Sequence, residues 1–302
     1  MSLNAVKMLG ISLTTNPKSE ILEFIQKYLK SSHLPLFPPS LLPARPIVIV
    51  TPNPEQIILS QQNPYFAGFL NRADVALPDG VGLVLASRVL RYQMPNDKCQ
   101  IKIQRIPGVE FMEDLVQTAA KEGFPIALIG GRTNLAAEAF ECLQAKYPGL
   151  KGWAENAPEV EIESTNLQIN KSANDKNNLR LMRNILIKQA GKDITEDYFL
   201  RLARKIKETN IQMVFVGLGA PKQEYFIEHL AYHLSLITYH RALMSVGGSF
   251  DIIAGKVKRA PPLIRLIGFE WLWRLIREPW RWKRQLALAE FVGLVLRDKF
   301  LR

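Results

Sequence analysis

The residue with the clearest chemical potential in this chain of 302 residues is Asp79. It stands between Pro78 and Gly80, where a short apolar run at 75–77 ends. A carboxylate at a strand end can take a proton as a general base. Pro-Asp-Gly is also ordinary turn chemistry. Thr51 and Asn53 close a second run at 47–50. Asn53 precedes Pro54 and a helical pattern, which reads as an N-cap with Pro at the first helical position. The free N–H groups of such a helix start also suit an anion. Thr51 has no comparable capping role. Three further runs end in glycine turns: Gly130-Gly131, Gly217-Leu218-Gly219 and Gly247-Gly248. Glycine there lets backbone approach a ligand closely, and also serves plain turns. The Gly217-x-Gly219 turn lacks the third glycine of a dinucleotide fingerprint, because Lys222 occupies that place. Lys222, Gln223 and Glu224 open the helix that follows. A lysine is unfavourable at a helix start, which hints at a neighbouring anion.

Metal chemistry finds little support in the sequence. His229 and His233 are spaced i, i+4, but no Glu follows His229, so the zincin pattern is absent. No Asp-x-Asp occurs. Cys99 and Cys142 are too few for a disulfide framework or a Cys₄ zinc site.

These residues require a scaffold that repeatedly ends strands at one edge. The chain alternates short β-branched runs with amphipathic helical patterns, which predicts βαβ units and a largely parallel, Rossmann-like sheet flanked by helices. Five strands are expected, at 47–50, 75–77, 126–129, 213–216 and 243–246, all closing on polar or Gly residues. In a parallel sheet that edge binds ligands. A first helix is expected after Asn16-Pro17. Residues 31–46 are Pro-rich and read as a loop. Residues 151–197 are polar and Asn-rich and read as an insertion or loop within a core of residues 1–254.

Residues 255–302 differ in composition. They hold twelve Lys/Arg against four Asp/Glu, so +8 of the net +11 lies there and only +3 in the first 254 residues. Four of the five tryptophans (Trp271, Trp273, Trp280 and Trp282) are in this stretch. Arg274, Arg277, Arg281 and Arg284 would share a face about 80° wide on one helix, although Pro279 is expected to break it. A basic, Trp-rich helical appendage points to an anionic surface. No signal peptide and no membrane span are expected, so such a protein would lie on a membrane rather than cross it. Exposed Trp could also drive self-association. A nucleic-acid binder is the competing class, but the near-neutral core and the lack of a nucleic-acid motif argue against it.

The segments TPNPEQ (51–56), ADVALPDGVGLVLASR (73–88), RIPGVEFMEDL (105–115), ALIGG (127–131), KYPGL (146–150), VGLGAPKQE (216–224), GGSFDIIAGKVKRAP (247–261) and FEWLWRLIREPWRWKR (269–284) resemble the WecG/TagA/CpsF glycosyltransferases in their order. The resemblance implies an inverting, metal-independent transferase with no cofactor. Its substrates would be a UDP-sugar donor, typically of N-acetylmannosamine, and N-acetylglucosamine on undecaprenyl pyrophosphate. A same-fold transferase using another UDP-hexose stays open. The location implied is cytoplasmic, on the inner face of the cell membrane. By motif position the resemblance makes Asp79 and Thr51 catalytic and brings Arg274, Arg281 and Arg284 from the appendage to the site. It assigns Asn53, Gly130, Gly131, Gly217, Gly219, Lys222, Gln223, Glu224, Gly247 and Gly248 to the nucleotide-sugar pocket.

Overall fold

The computed structural model describes residues 3–31, 45–90, 103–162, 185–189, 192–236, 240–266, 268–279 and 282–301. In chain order its elements begin with a hairpin, β1 (Ala5–Met8) and β2 (Ile11–Thr14), and helix α1 (Lys18–Lys30). Then come β3 (Ile47–Val50), α2 (Pro54–Gln62), α3 (Pro64–Arg72), β4 (Val75–Ala76), α4 (Val81–Leu90) and α5 (Gly108–Glu122). They are followed by β5 (Ile126–Gly130), α6 (Leu135–Lys146), β6 (Gly152–Glu155), β7 (Val160–Ile162), β8 (Ile185–Gln189) and β9 (Lys192–Asp193). The chain continues through α7 (Thr195–Glu208), β10 (Met213–Gly217), α8 (Lys222–Ser235), β11 (Ala242–Ser245) and α9 (Ser249–Ile253). It closes with α10 (Pro262–Leu266), α11 (Glu270–Arg277) and α12 (Trp282–Leu301).

Six strands form one sheet in the order β4-β3-β11-β10-β5-β6, flanked by helices. The β3–β4, β10–β11, β10–β5 and β5–β6 pairings are parallel. The α/β expectation therefore holds. β3, β5, β10 and β11 are buried along their whole length, as expected of parallel strands covered on both faces. The sheet has one strand more than the sequence suggested, because β6 adds to its edge.

The chain divides into two compact units. The first comprises residues 1–27, 49–115 and 251–302. Within it, the β1–β2 hairpin packs against α3 and β4. Asn71 on α3 holds the hairpin turn by accepting from the Ser12 N–H and donating to the Gly10 carbonyl. Asn16 does not cap α1 as the sequence suggested: its side-chain oxygen accepts from the Asn4 N–H at 2.6 Å, and its amide donates to Glu20. Helix α12 lies on α2 and α4. Phe291 and Val295, spaced i, i+4, are the buried contacts of α12. Leu286, Val292 and Leu296 along α12 are exposed.

The second unit comprises residues 28–48 and 116–250. Its core includes β5, β10 and β11 with α7 and α8, where Phe199 and Phe226 meet edge to face at 4.9 Å. The stretch 151–197, expected to be a loop, carries β6 and a small antiparallel group, β7-β8-β9, among its described residues. Alternating Ile185 and Ile187 supply the buried face of β8. Residues 163–184, and 32–44 of the Pro-rich stretch, lie outside the described residues.

Candidate active site

In the first unit, β3 and β4 end side by side and deliver Thr51 and Asp79. The backbone continues the pairing beyond the strands: Leu77 N–H bonds Val50 carbonyl, and Asp79 N–H bonds Pro52 carbonyl at 2.9 Å. Asn53 caps α2 by accepting from the Gln56 N–H at 3.0 Å, with Pro54 as the first helical residue. That is the local chemistry its sequence context dictates.

The start of α5 meets Asp79. Gly108 donates its N–H to Oδ2 of Asp79 at 3.1 Å. A methyl group added at Gly108 would lie 2.9 Å from Cγ2 of Thr51 and 3.4 Å from Oδ2 of Asp79. Glycine is therefore needed for the threonine, the carboxylate and the helix start to converge. Thr51 is buried and Asp79 partly so. Burial pushes the Asp79 carboxyl up from 3.8 to about 6. The Gly108 N–H and the charges of Arg105 and Arg259 oppose that rise, and Glu270 adds to it. A carboxylate with such a value is ionised at neutral pH and still basic enough to accept a proton.

Beside Asp79 runs an ion-pair network that sequence reasoning missed. Nη2 of Arg105 bonds Oε2 of Glu270 at 2.7 Å, and its Nη1 donates to the Arg265 carbonyl at 3.1 Å. Arg259 bonds Oε1 of Glu110 at 2.7 Å and faces Oε1 of Glu270 at 3.5 Å. Arg265 also reaches Glu110, at 3.2 Å. The signal was present but diffuse. All of these residues except Arg265 fall inside the segments that carried the family resemblance.

The second unit holds the glycine turns. Gly130 and Gly217 end the paired strands β5 and β10. A Cβ on Gly130 would lie 2.6 Å from the Gly217 carbonyl oxygen, and Gly130 has φ +120°, so only glycine fits there. Gly131 N–H bonds that same carbonyl at 2.9 Å. Gln223, in the first turn of α8, fastens two turns at once. Its Oε1 accepts from the Gly219 N–H at 3.2 Å and the Gly247 N–H at 2.9 Å. Its amide nitrogen donates to Oε1 of Glu224 at 2.8 Å. Gly248 is exposed beside Gly247.

Two residues of the helix start have structural partners rather than an open face. Lys222 is exposed, and its Nζ donates to the Val160 carbonyl on β7 at 2.7 Å. That carbonyl provides the negative partner the sequence had suggested for an anion. Glu224 is fully buried. Burial lifts its carboxyl to about 7 against hydrogen bonds from Gln223 and Ser245.

Of the appendage arginines, Arg274 lies in the last turn of α11 and Arg284 in α12. Arg281 lies outside the described residues. The helix break expected at Pro279 is present, with α11 ending at Arg277 and capped by the Glu278 N–H on the Arg274 carbonyl. Two further arginines, Arg105 and Arg259, act on the Asp79 carboxyl. Among the described residues no helix is long and apolar enough to cross a membrane.

Comparison with known proteins gives a consistent result. The profile of the "Glycosyl transferase WecG/TagA/CpsF family" matches residues 6–302. Two curated relatives carry the name N-acetylglucosaminyldiphosphoundecaprenol N-acetyl-beta-D-mannosaminyltransferase. One, from Bacillus spizizenii, is 29% identical over 254 residues, covering 83% of this chain and 79% of the relative. The other, from Bacillus subtilis, is 30% identical over 253 residues, covering 83% and 80%.

Proposed function

The chain belongs to the WecG/TagA/CpsF glycosyl transferase family, and we propose that it moves N-acetylmannosamine from a UDP donor to N-acetylglucosamine on a polyprenyl diphosphate. The acceptor and the sugar are the reading its relatives' names support. The observation that carries the mechanism is the Asp79 carboxyl, lifted to about 6 beside Thr51 and the start of α5.

Inversion at an anomeric carbon is a single displacement. Asp79 takes the proton of the acceptor hydroxyl as that oxygen attacks, a contribution typically of 10²–10⁴-fold. Thr51, buried next to it, orients the hydroxyl. The departing nucleoside diphosphate gains negative charge, which guanidinium groups and backbone N–H donors stabilise without a metal ion. In this reading the glycine turns fastened by Gln223 receive the donor's diphosphate, and the family resemblance assigns Arg274, Arg281 and Arg284 of the appendage to the same reaction.

The appendage is read as docking on the anionic inner face of the cell membrane, where a polyprenyl acceptor is available. Trp271, Leu272, Ile276 and Trp282 are exposed on α11 and at the start of α12. Trp at the headgroup level, with basic residues each worth about 1 kcal/mol near an anionic leaflet, gives reversible attachment.

The test is a transfer assay with a panel of UDP-sugars and a short-chain polyprenyl-diphosphate N-acetylglucosamine acceptor. Turnover with UDP-N-acetylmannosamine at least ten times that with other UDP-hexoses supports the reading. A preference for a different UDP-hexose overturns the choice of sugar, and transfer to a lipid-free hydroxyl alone overturns the choice of acceptor.

A further inference from the structure

We propose that Glu270, at the start of α11, is a positioning residue for Asp79: it binds Arg105 and Arg259 together and so fixes the charges that face the strand-end carboxylate. The inference rests on the reading of Asp79 as the base. It assigns to an acidic residue of the tail a role in the chemistry.

The geometry is specific. One carboxylate oxygen of Glu270 takes Nη2 of Arg105 at 2.7 Å, and the other faces Nε of Arg259 at 3.5 Å. Glu270 is mostly enclosed, at 18% side-chain exposure, against 22% for Arg105 and 20% for Arg259. Pairs this enclosed are less screened than surface ion pairs. Arg105 is held a second time by the Arg265 carbonyl, and Arg259 a second time by Glu110. Neither guanidinium therefore depends on Glu270 alone for its place, but only Glu270 touches both. The backbone sets Arg105 beside Asp79, since the Ile106 N–H bonds the Pro78 carbonyl at 3.0 Å and the Gly108 N–H bonds Oδ2 of Asp79 at 3.1 Å. The charges of Arg105 and Arg259, the latter from the segment before α10, pull the Asp79 carboxyl down, and that of Glu270 on α11 pushes it up. Behind them stand Glu110 and Arg265, paired to the same arginines. Glu270 is the anion of this set that pushes the Asp79 carboxyl up, and it tempers the two cations that would otherwise weaken the carboxylate as a base.

The experiment compares Glu270→Gln, Glu270→Asp and Arg259→Gln in the full chain. The Asp79 carboxyl is followed by ¹³C NMR in protein labelled at Asp, and is identified by the signal missing from Asp79→Asn. Glu270→Gln keeps the shape and an acceptor for Arg105 while removing the charge. It should lower the titration midpoint of Asp79 by at least about half a pH unit, as expected for loss of one nearby like charge in a partly hydrated site. Arg259→Gln removes a cation and should raise the midpoint. Glu270→Asp should hold it near the parent value. General loosening of the fold would move the first two variants the same way. Movement in the same direction, or no movement in either, overturns the proposal. The acid limb of kcat/KM should shift with the NMR midpoint in each variant. If Asp79→Asn keeps parental turnover, the reading of Asp79 as the base fails, whereas the titration still decides the role of Glu270.

Discussion

Asp79→Asn should make the protein more stable and much less active. The folded-state carboxyl lies near 6, above the ordinary 3.8. A group raised in this way favours folding only while protonated, so ionising it opposes folding. The penalty is absent below about pH 4, grows as pH rises, and is complete above about pH 6–7. A rise of about two units corresponds to about 3 kcal/mol. Asparagine removes that penalty and can still accept from the Gly108 N–H. The net gain is about 3 kcal/mol at pH 7.5, since the value near 6 already includes the Gly108 hydrogen bond, or about 5 °C in Tm for a chain of this length unfolding as a unit. Thermal melts of the two proteins at pH 7.5 and pH 4.5 measure it, and the difference should shrink towards zero at the lower pH. Turnover should fall at least about 10²-fold with donor binding nearly intact. A variant no more stable than the parent at pH 7.5, or a gap that widens as pH falls, would refute the desolvation argument. Parental turnover would refute the catalytic one.

Gln223→Ala leaves the Gly219 and Gly247 N–H groups without their shared acceptor. It should raise KM for the donor at least about fivefold and cost about 1–3 kcal/mol of stability, read by steady-state kinetics and denaturant melts. Gly130→Ala forces a Cβ against the Gly217 carbonyl oxygen at 2.6 Å in a backbone conformation with φ +120°. It should destabilise by several kcal/mol, on the order of 3, or prevent accumulation of folded protein, read by thermal melts and soluble yield. Trp271→Ala combined with Ile276→Ala removes two exposed apolar groups from α11. Sedimentation with anionic vesicles should show binding reduced at least about fivefold with Tm unchanged, and binding of the parent protein should weaken as salt is raised.

The central strands were legible because burial on both faces leaves a continuous β-branched run with a polar or glycine ending. IVIV at β3 and MVFVG at β10 are such runs. The helix start at Pro54 and the break at Pro279 were legible because proline acts locally, through its own ring and missing N–H. β6 was not, because GWAE is a partly exposed edge strand with one large apolar residue and no alternation to read. β8 and β9 were hidden in a polar composition that an antiparallel group with a solvated face tolerates. At the site, Asp79 and Thr51 could be found from position at a strand end alone. The Arg–Glu network could not. Its hydrogen-bonded partners are separated by 149 to 165 residues, and each member alone looks like a solvated surface charge. Gln223 lies between these cases. Its place in the first turn of α8 was readable, but its role as one acceptor for two distant glycines depends on β10 and β11 being neighbours.

The charge arithmetic of the first unit gives the network a further meaning. Arg105, Arg259 and Arg265 carry three positive charges, and Glu110, Glu270 and ionised Asp79 carry three negative ones. The resting cluster is therefore neutral, which lowers the cost of enclosing so many charges. When Asp79 accepts a proton the balance becomes +1. In a displacement that produces a nucleoside diphosphate, that change coincides with negative charge developing on the leaving group. Under the proposed function, proton transfer to the base and stabilisation of the departing anion would be coupled through the field of this cluster. A carboxylate that did not titrate near neutral pH would break this coupling. Held at 3.8 it would be a poor acceptor, and well above 7 it would arrive already protonated. The value near 6 satisfies both conditions, and it is set by burial and Glu270 on one side and by the Gly108 N–H, Arg105 and Arg259 on the other.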